Sequence, residues 1–217
     1  MNDLHGLYAI TPDDAGPDLT RRVELAIAGG ARVIQYRDKS RDLVRRRTQA
    51  QALSNLCRAT GTRLIINDDP ALAAAVGADG VHLGRDDGDP AQARRLLGPR
   101  AIIGVSCYDR LDLGIAAQAA GADYVAFGSF FPSATKPDAV RAEPDLLRLA
   151  HAVLGLPLVA IGGITPQNGA ALIAAGADLL AVVSGVFSEP DPRGAAAAYA
   201  RLFSIRTEAS YQTGSVP

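Results

Sequence analysis

The 217-residue sequence contains no tryptophan, a single methionine and only two cysteines. Cys57 and Cys107 are too few for the disulfide framework of a small secreted protein, and their spacing fits no metal-binding motif, so we expect two reduced thiols. The chain also lacks an excess of either charge, because 22 Lys and Arg oppose 23 Asp and Glu. This balance argues against nucleic acid or an anionic membrane surface as the main partner.

The N-terminus lacks the features of a secretory signal, since residues 1–11 carry no basic segment before an apolar one. A cytoplasmic location is therefore predicted. One uncharged stretch, residues 149–177, is longer than the roughly 20 residues of a membrane helix. Pro157, Gly162 and Pro166 interrupt it, which predicts the end of a helix, a buried strand, a glycine turn and a new helix instead.

A repeated pattern organises the chain: an Ala-rich helical segment ends at a glycine, and a short apolar strand follows. The pattern occurs four times, with intervals of 47, 44 and 55 residues between Gly30, Gly77, Gly121 and Gly176. Glycine is typical of this position because the residue after a helix often adopts the left-handed conformation, which costs glycine nothing. Each interval corresponds to about two βα units.

The intervening segments complete eight βα units, whose strands are the continuous apolar runs of a parallel sheet covered on both faces. The predicted strands are 7–11, 33–37, 64–67, 80–83, 102–106, 124–127, 157–161 and 180–184. The predicted helices are 19–28, 40–59, 70–76, 90–97, 111–120, 144–154, 167–175 and 192–203. This count favours an α/β fold, the (β/α)8 TIM barrel, over a doubly wound open sheet, because no GxGxxG turn follows the first strand. We expect one barrel domain over residues 1–205 and a flexible tail over residues 206–217.

In such a barrel the working face lies at the C-terminal ends of the strands. Most of the chain's notable polar residues fall there, so a single site is predicted on that rim. These strand-end residues are Gln35, Tyr36, Arg37, Asp38, Lys39, Asn67, Asp68, Asp69, His82, Asp86, Asp87, Ser106, Ser133, Ala134, Thr135, Lys136, Gly162, Gly163, Val183 and Ser184.

The turns after strands 7 and 8 fit the common phosphate site of these barrels. Gly162 and Gly163 allow close backbone approach, and N–H groups there and at Val183 and Ser184 would surround a phosphate monoester near helix N-termini. The alternative for the glycine pair is a tight turn between strand and loop.

Two carboxylates at neighbouring strand ends, Asp68 and Asp87, predict a site for one hard cation. Mg²⁺ is the candidate, because it uses one or two carboxylates together with waters and substrate phosphates. The alternative is that Asp69 and Asp87 cap the helices that begin near Pro70 and Pro90.

Arg37, Lys39 and Lys136 place three cations on the same rim, enough to balance much of the charge of a diphosphate. An acidic pair beside a basic trio suits that ligand. The run of arginines at residues 45–47 is different, because it lies within a helix among other charges, and we expect it on a solvated face.

His82 has two interpretations, a general base or a hydrogen-bonded structural residue that points into the barrel, and the second is favoured. Ser106 and Cys107 stand side by side at a strand end. No His and acid pair is placed to activate either of them, so covalent catalysis is not expected.

Eight motifs follow one another along the chain, namely GLYAITP, QYRDK, LIINDD, GVHLGRDD, IIGVSCY, AFGSFFPSATKP, VAIGGI and AVVSGVF. With these motifs the sequence resembles the thiamine-phosphate synthase family, also called thiamine-phosphate pyrophosphorylase, over about residues 6–203. The resemblance implies a transferase that joins a hydroxymethylpyrimidine diphosphate to a thiazole phosphate in a magnesium-dependent reaction, giving thiamine phosphate and diphosphate. It also implies a dissociative substitution, in which the C–O bond breaks first and the thiazole nitrogen captures a pyrimidine methylene cation.

Carried over by motif, the resemblance implies a role for most strand-end residues. The pyrimidine diphosphate would bind Gln35, Arg37, Lys39, Asn67, Ser106 and Lys136, with Tyr36 and Asp38 of the same segment. The thiazole phosphate would bind Ser133, Ala134, Thr135, Gly163, Val183 and Ser184. Asp68 and Asp87 would hold magnesium. Lys136, Ser106 and Arg37 would act in catalysis, where cations stabilise the departing diphosphate.

Two residues depart from the family pattern: Arg85 stands where Gln is frequent, and Ser133 where Thr is common. Three alternatives stay open. A thiazole tautomerase of the same fold would not need Asp68, Asp87 and Lys136, a sugar-phosphate isomerase barrel would not need the metal and diphosphate set, and a non-catalytic protein would bind both thiamine precursors without turnover. The sequence leaves open the oligomeric state, including a homodimer, the use of a carboxylated thiazole, the role of Arg85 and the mobility of residues 130–141.

Overall fold

The computed structural model describes residues 4–13, 15–132 and 140–212. Eight parallel strands close into a barrel in chain order, and the first strand pairs with both the second and the eighth. The strands are β1 (Gly6–Ile10), β2 (Ala31–Tyr36), β3 (Arg63–Asn67), β4 (Gly80–Leu83), β5 (Ile102–Tyr108), β6 (Tyr124–Phe127), β7 (Leu158–Ile161) and β8 (Leu179–Val182). The predicted (β/α)8 barrel is therefore confirmed.

Helices alternate with the strands and surround the barrel. They are α1 (Leu19–Ala28), α2 (Leu43–Thr60), α3 (Pro70–Val76), α4 (Pro90–Leu97), α5 (Leu111–Ala119), α6 (Pro144–Val153), α7 (Gly169–Ala174), α8 (Ser184–Phe187) and α9 (Pro192–Gln212). Among the described residues, no helix is long and apolar enough to cross a membrane.

The last two units differ from the sequence prediction. The eighth strand stops at Val182 because the pairing with β7 ends at Ala181, where β7 itself turns away after Ile161. The chain then forms the short helix α8, which was not predicted. Helix α9 runs beyond residue 203 because residues 204–212 contain neither Gly nor Pro to end it. The flexible tail stays a prediction.

Local signals determine where several helices begin and end. The carboxylate of Asp69 caps α3 by accepting a hydrogen bond from the N–H of Leu72 at 2.8 Å, and Gly77 ends that helix with a left-handed φ of 63°. Asp89 caps α4 in the same way. Of the two caps considered from the sequence, Asp69 is therefore one and Asp87 is not.

The aspartate of each Gly-Ala-Asp segment explains why the repeat spans two βα units. The carboxylate of Asp79 accepts a hydrogen bond from the N–H of Leu64 at 2.8 Å, and the Asp79 N–H donates to the Leu64 carbonyl at 2.9 Å. The same two bonds join Asp123 to Ile103 and Asp178 to Leu158. Each Gly-Ala-Asp segment thus ties an even strand to the preceding odd strand at the N-terminal face, the face that serves stability in these barrels.

The apolar core has two layers. The larger layer fills the space between strands and helices, and the smaller one lies inside the barrel around Tyr8, Ile65, Tyr124 and Val159. Buried polar side chains, including Gln35, share the inner layer. Some of these inner residues, including Tyr8 and Gln35, also line the cavity at the C-terminal ends of the strands.

Candidate active site

A cavity of about 490 Å³ opens at the C-terminal ends of the barrel strands. Several predicted site residues line it: Gln35, Arg37, Asn67, Ser106, Gly163, Val183 and Ser184. They come from the ends of β2, β3, β5, β7 and β8. The fold therefore brings residues that are far apart in sequence to one cavity, at the face where these barrels carry their active sites.

Side chains in the barrel interior form one hydrogen-bonded chain that reaches this cavity. Gln35 Nε2 donates to the Tyr8 hydroxyl at 2.8 Å, and this hydroxyl lies 2.7 Å from the Tyr124 hydroxyl. His82 contacts the Tyr124 hydroxyl through Nδ1 at 2.9 Å and the Ser106 hydroxyl through Nε2 at 2.8 Å. The imidazole also stacks on the Tyr124 ring, with centroids 5.6 Å apart. The interpretation of His82 as a hydrogen-bonded residue pointing into the barrel is confirmed.

Carboxylates hold two of the predicted cations at the rim. Arg37 forms an ion pair with Asp13, and the second carboxylate oxygen of Asp13 accepts a hydrogen bond from the N–H of Lys39 at 3.2 Å. The ammonium group of Lys39 forms an ion pair with Asp68. Asp13 was missed from the sequence, although its position shortly after β1 placed it on the same rim as the other strand-end residues. These pairs hold Arg37 in the lining of the cavity and Lys39 on the exposed rim outside it.

The two predicted metal ligands, Asp68 and Asp87, lie close together. The two carboxyl groups are near enough for Asp68 to act on the pKa of Asp87, and the N–H of Gly84 donates to Asp87 at 3.0 Å. Burial raises the pKa of Asp87, and the neighbouring Asp68 raises it further. Burial also acts to raise the pKa of Asp68, but the neighbouring Lys39 and Asp87 outweigh it, so the pKa of Asp68 falls. Asp68 has a φ of 62°, a conformation that non-glycine residues seldom adopt.

This acidic pair fits a hard divalent cation. Two carboxylates held close together repel each other when both are ionised, and a cation between them relieves that repulsion. Their oxygens are the ligand type that Mg²⁺ prefers, and two protein ligands are enough where waters and substrate phosphates complete the shell. No cluster of three or more His, Cys, Asp or Glu suited to a metal occurs within the described ranges. A cation at Asp68 and Asp87 would therefore depend on ligands from water or substrate.

Three of the described candidates for substrate binding, Tyr36, Asp38 and Lys39, do not line the cavity. Lys39 is exposed on the rim outside it, whereas Tyr36 and Asp38 are directed away from it. The Tyr36 hydroxyl is directed toward α2, where it donates a hydrogen bond to a glutamine at 2.9 Å. Asp38 accepts a hydrogen bond from Arg45 of α2 at 2.8 Å. Because side chains alternate along a strand, Tyr36 and Asp38 face the helices while Gln35 and Arg37 face the cavity. Neither Tyr36 nor Asp38 is carried into the function proposed below.

The prediction that residues 45–47 form a solvated face is wrong for Arg46, whereas the side chain of Arg45 stays 38% exposed. Arg45 pairs with Asp38, and Arg46 pairs with Asp69 at 2.8 Å while keeping only 19% of its side chain exposed. Arg47 is exposed as expected. The first turns of α2 pass beside the carboxylates that follow β2 and β3, a proximity that the distance along the chain does not reveal.

A crossing loop explains the glycine pair after β7. A Cβ on Gly162 would lie 2.0 Å from the Ser129 hydroxyl oxygen, and one on Gly163 would lie 2.3 Å from the Pro132 carbonyl oxygen. The two glycines have φ values of 102° and 60°. Beside them α8 begins at Ser184, and the first N–H groups of a helix have no partner within it. The positive φ values of the turn and the crossing loop together account for the glycines, and phosphate binding at this wall of the cavity stays a prediction.

Arg85 extends over the mouth of the cavity. Its guanidinium carbon lies 4.9 Å from the centroid of the Tyr108 ring, which corresponds to a cation–π contact, and both residues line the cavity. Within the described part of the chain, Arg85 has no ion pair or hydrogen bond. Arg85 therefore adds a positive charge to the lining of the cavity.

Four predicted site residues, Ser133, Ala134, Thr135 and Lys136, lie outside the described residues. The segment that leads to them is described: the N–H of Phe131 donates to the Gly162 carbonyl at 3.0 Å. This bond attaches the start of the β6–α6 loop to the glycine pair. The roles assigned to the four residues stay predictions.

The two thiols do not contribute a nucleophile. Cys57 and Cys107 are both buried and free of a disulfide. Burial raises the pKa of each thiol to about 12. Because the thiolate is the reactive form, neither residue is suited to covalent catalysis at neutral pH.

Comparison with known proteins places this geometry in a family. The family model described as thiamine monophosphate synthase matches residues 7–186. The thiamine-phosphate synthase of Thioalkalivibrio sulfidiphilus is 56% identical, covering 93% of this chain and 97% of that protein. The thiamine-phosphate synthase of Thiobacillus denitrificans is also 56% identical, covering 94% of this chain and 97% of that protein.

Solved structures agree with the sequence relatives. Thiamine phosphate pyrophosphorylase from Pyrococcus furiosus matches with a TM-score of 0.84 and 33% identity over 94% of this chain and 97% of its own. Orotidine 5'-phosphate decarboxylase from Pyrococcus horikoshii, with a TM-score of 0.65 and 16% identity over 90% of this chain and 99% of its own, shares the fold alone. The chain therefore belongs to the thiamine monophosphate synthase family.

Proposed function

We propose that this protein is a thiamine-phosphate synthase, a transferase that joins a hydroxymethylpyrimidine diphosphate to a thiazole phosphate and releases diphosphate. The observation that carries the proposal is the division of the cavity rim. Cations and paired carboxylates stand at the ends of β2 to β4, and backbone donors with Ser184 stand at β7 and β8, across the barrel. One side suits a diphosphate with a cation, and the other suits a phosphate monoester.

On the diphosphate side, Arg37 and Lys39 would exchange their carboxylate partners for phosphate oxygens, to which charge-assisted hydrogen bonds are strong. Gln35, Asn67 and Ser106 line the cavity together with Arg37. We assign them to the pyrimidine and its diphosphate. Lys136 would add a further cation from the β6–α6 loop.

Asp68 and Asp87 would hold Mg²⁺, which, when bound, would neutralise charge on the diphosphate and make it a better leaving group. Lys39 lies against Asp68 and would keep this carboxylate ionised and oriented. The N–H of Gly84 would do the same for Asp87, since it already donates to that carboxylate.

On the monophosphate side, Gly163, Val183 and Ser184 would bind the thiazole phosphate, together with Ser133, Ala134 and Thr135. The C–O bond of the pyrimidine substrate would break first, and its electron pair would leave with the diphosphate. The thiazole nitrogen would then attack the methylene cation. Apolar side chains also line the cavity, including Ile10, Val159 and Ile161, and would keep water from the cation.

Diphosphate release from the purified chain tests this function. With both substrates and Mg²⁺ present, we expect release of one diphosphate per thiamine phosphate formed. Omission of the thiazole phosphate should abolish turnover, and the dephosphorylated thiazole should be a poor substrate because backbone donors suit a dianion better than an alcohol. Binding of both substrates without turnover would contradict the proposal and indicate a precursor-binding protein instead.

A further inference from the structure

We propose that Tyr8, Tyr124 and His82 are positioning residues that fix Ser106 as a hydrogen-bond donor toward the bound substrate. The three side chains and Gln35 form the hydrogen-bonded chain inside the barrel, with every link between 2.7 and 2.9 Å. Only the position of the protons decides whether Ser106 offers a donor or an acceptor to the cavity.

The first protons to place are those of Gln35 and Tyr8. Gln35 directs its amide Nε2 toward the Tyr8 hydroxyl oxygen, so this amide donates. Tyr8 is 2% exposed, and the other described partner of its hydroxyl is Tyr124. A buried hydroxyl is costly to leave without a partner, so the Tyr8 proton is directed to the Tyr124 oxygen.

The same accounting continues to Ser106. Since Tyr124 accepts from Tyr8, its own proton is directed to its other neighbour, His82 Nδ1. Nδ1 is then an acceptor, and the ring proton is on Nε2, which donates to the Ser106 oxygen. The Ser106 proton has no place within the chain and turns to the cavity.

Burial of the two phenols keeps both of them in the protonated form that can donate. Tyr8 and Tyr124 lie inside the barrel, and burial raises the pKa of both well above the ordinary value. Both hydroxyls therefore stay protonated at neutral pH, and each donates one proton and accepts one. The packing of His82 on the Tyr124 ring holds the imidazole in the orientation that the two bonds require.

The consequence for the reaction rests on the proposed function. Ser106 would meet an acceptor atom of the pyrimidine diphosphate, either an unprotonated ring nitrogen or a phosphoryl oxygen, with its proton already directed outward. A donor that is oriented before binding requires no reorganisation when the substrate arrives. The orientation of the Gln35 amide sets the whole chain, because rotation of that amide would reverse every bond and place the imidazole proton on Nδ1.

This difference is measurable by NMR of the substrate-free protein labelled with ¹⁵N-histidine. The protein has three histidines, so His5→Gln and His151→Gln variants assign the His82 signals. From the hydrogen-bond geometry we expect a proton on Nε2 and none on Nδ1. A proton on Nδ1, or a mixture of tautomers in the wild-type protein, would overturn the proposal.

A matched pair of variants tests the direction in which the hydrogen bonds donate. Tyr8→Phe removes one hydroxyl but leaves the Tyr124 proton directed to Nδ1, so the Nε2–H tautomer should persist. Tyr124→Phe removes the donor to Nδ1, and the two tautomers should then interconvert. Retention of a single Nε2–H tautomer in Tyr124→Phe would show that Tyr124 does not set it. The wild-type spectrum decides the proposal even if Tyr124→Phe does not fold.

Steady-state kinetics show whether the hydrogen-bonded side chains influence the reaction through Ser106. In the proposed reaction, Ser106→Ala and Tyr124→Phe should each lower kcat, and the double variant should lose no more than Ser106→Ala alone, because coupled residues are not additive. If the loss of kcat in the double variant equals the product of the two single losses, the proposal that Tyr124 acts through Ser106 is wrong. Since the tautomer is measured without substrate, an absence of diphosphate release would count against the proposed function and not against the hydrogen-bonded chain.

Discussion

The phenol ring of Tyr124 occupies the space that a side chain at Gly104 would need. A Cβ on Gly104 would lie 1.9 Å from Cζ and 2.3 Å from the hydroxyl oxygen of Tyr124. The two residues are paired across β5 and β6, so the ring folds over the neighbouring strand inside the barrel. Glycine at 104 is thus what allows the Tyr124 hydroxyl to reach Tyr8 and His82.

Gly104→Ala should therefore destabilise the protein, because the ring and the strand cannot both keep their places. Overpacking of this kind costs about 1–3 kcal/mol of unfolding free energy. Urea unfolding measures it. Gly16→Ala is the control, since nothing lies within 4 Å of a Cβ there and its φ is not positive, and its effect should stay within about 0.5 kcal/mol. Equal stability of the two variants would mean that Tyr124 can move without cost.

Asp123→Ala should lower stability while leaving the active site intact. Its carboxylate accepts from the N–H of Ile103 at 2.7 Å and pairs with Arg94 at the face opposite the cavity. Hydrogen bonds to charged groups contribute about 1.5–3 kcal/mol. The expected result is a lower urea midpoint with unchanged kcat at a temperature where the variant is folded. Asp18→Ala, at an exposed position without a capping bond, is the control, and a loss of kcat in Asp123→Ala would contradict the separation of the two faces.

Asp68→Asn and Asp87→Asn should each raise the Mg²⁺ concentration needed for half-maximal activity, because each removes one of two charged ligands. A direct readout is available, since a ligand that binds the folded state raises Tm. With diphosphate present, Mg²⁺ should raise the Tm of the wild-type protein more than that of either variant. Asp89→Asn, which changes only the cap of α4, should keep the Mg²⁺ dependence of the wild type. The same Mg²⁺ dependence in the wild type and all three variants would show that Asp68 and Asp87 do not bind Mg²⁺.

Lys136→Ala should reduce kcat by roughly 10²-fold, the scale for loss of one preorganised electrostatic group. The reason is that its charge would stabilise the diphosphate as it departs, which matters more in the transition state than in the ground state. Single-turnover kinetics at saturating substrates measure this step. Lys136→Arg, which keeps the charge, should retain part of the rate. A variant that raises only KM would assign Lys136 to binding.

Arg85→Gln should weaken binding of the pyrimidine diphosphate with little change in kcat. The guanidinium is exposed at the cavity mouth, so its contribution should be about 1 kcal/mol or less, a several-fold rise in KM that shrinks at high salt. Arg95→Gln, an exposed position on α4, is the matched control for loss of one positive charge. If both variants bind the pyrimidine diphosphate equally well, Arg85 does not contribute to substrate binding and only contacts Tyr108.

The sequence alone was enough to predict the order of the eight βα units and the position of the polar rim, although not the short helix α8. Glycine after each Ala-rich helix, proline at the start of α3, α4 and α6, and uninterrupted apolar strands are short-range signals, so they predict elements without knowledge of the fold. Eight such units imply a closed barrel, and a closed barrel puts the ends of parallel strands on one face. Gln35, Asn67 and Ser106 were placed at the cavity by this reasoning, and eight motifs pointed to the family.

The tertiary structure decided which partners each side chain meets. Arg37 with Asp13, and Arg46 with Asp69, join residues 24 and 23 positions apart, and Tyr8 meets Tyr124 across 116. Such contacts depend on the stagger between strands and on how each helix crosses the barrel, and no local spacing encodes either. Tyr36 and Asp38 belong to a strand end as predicted, but the register of β2 turns them toward α2. The direction of a side chain is settled only when its strand is paired with its neighbours.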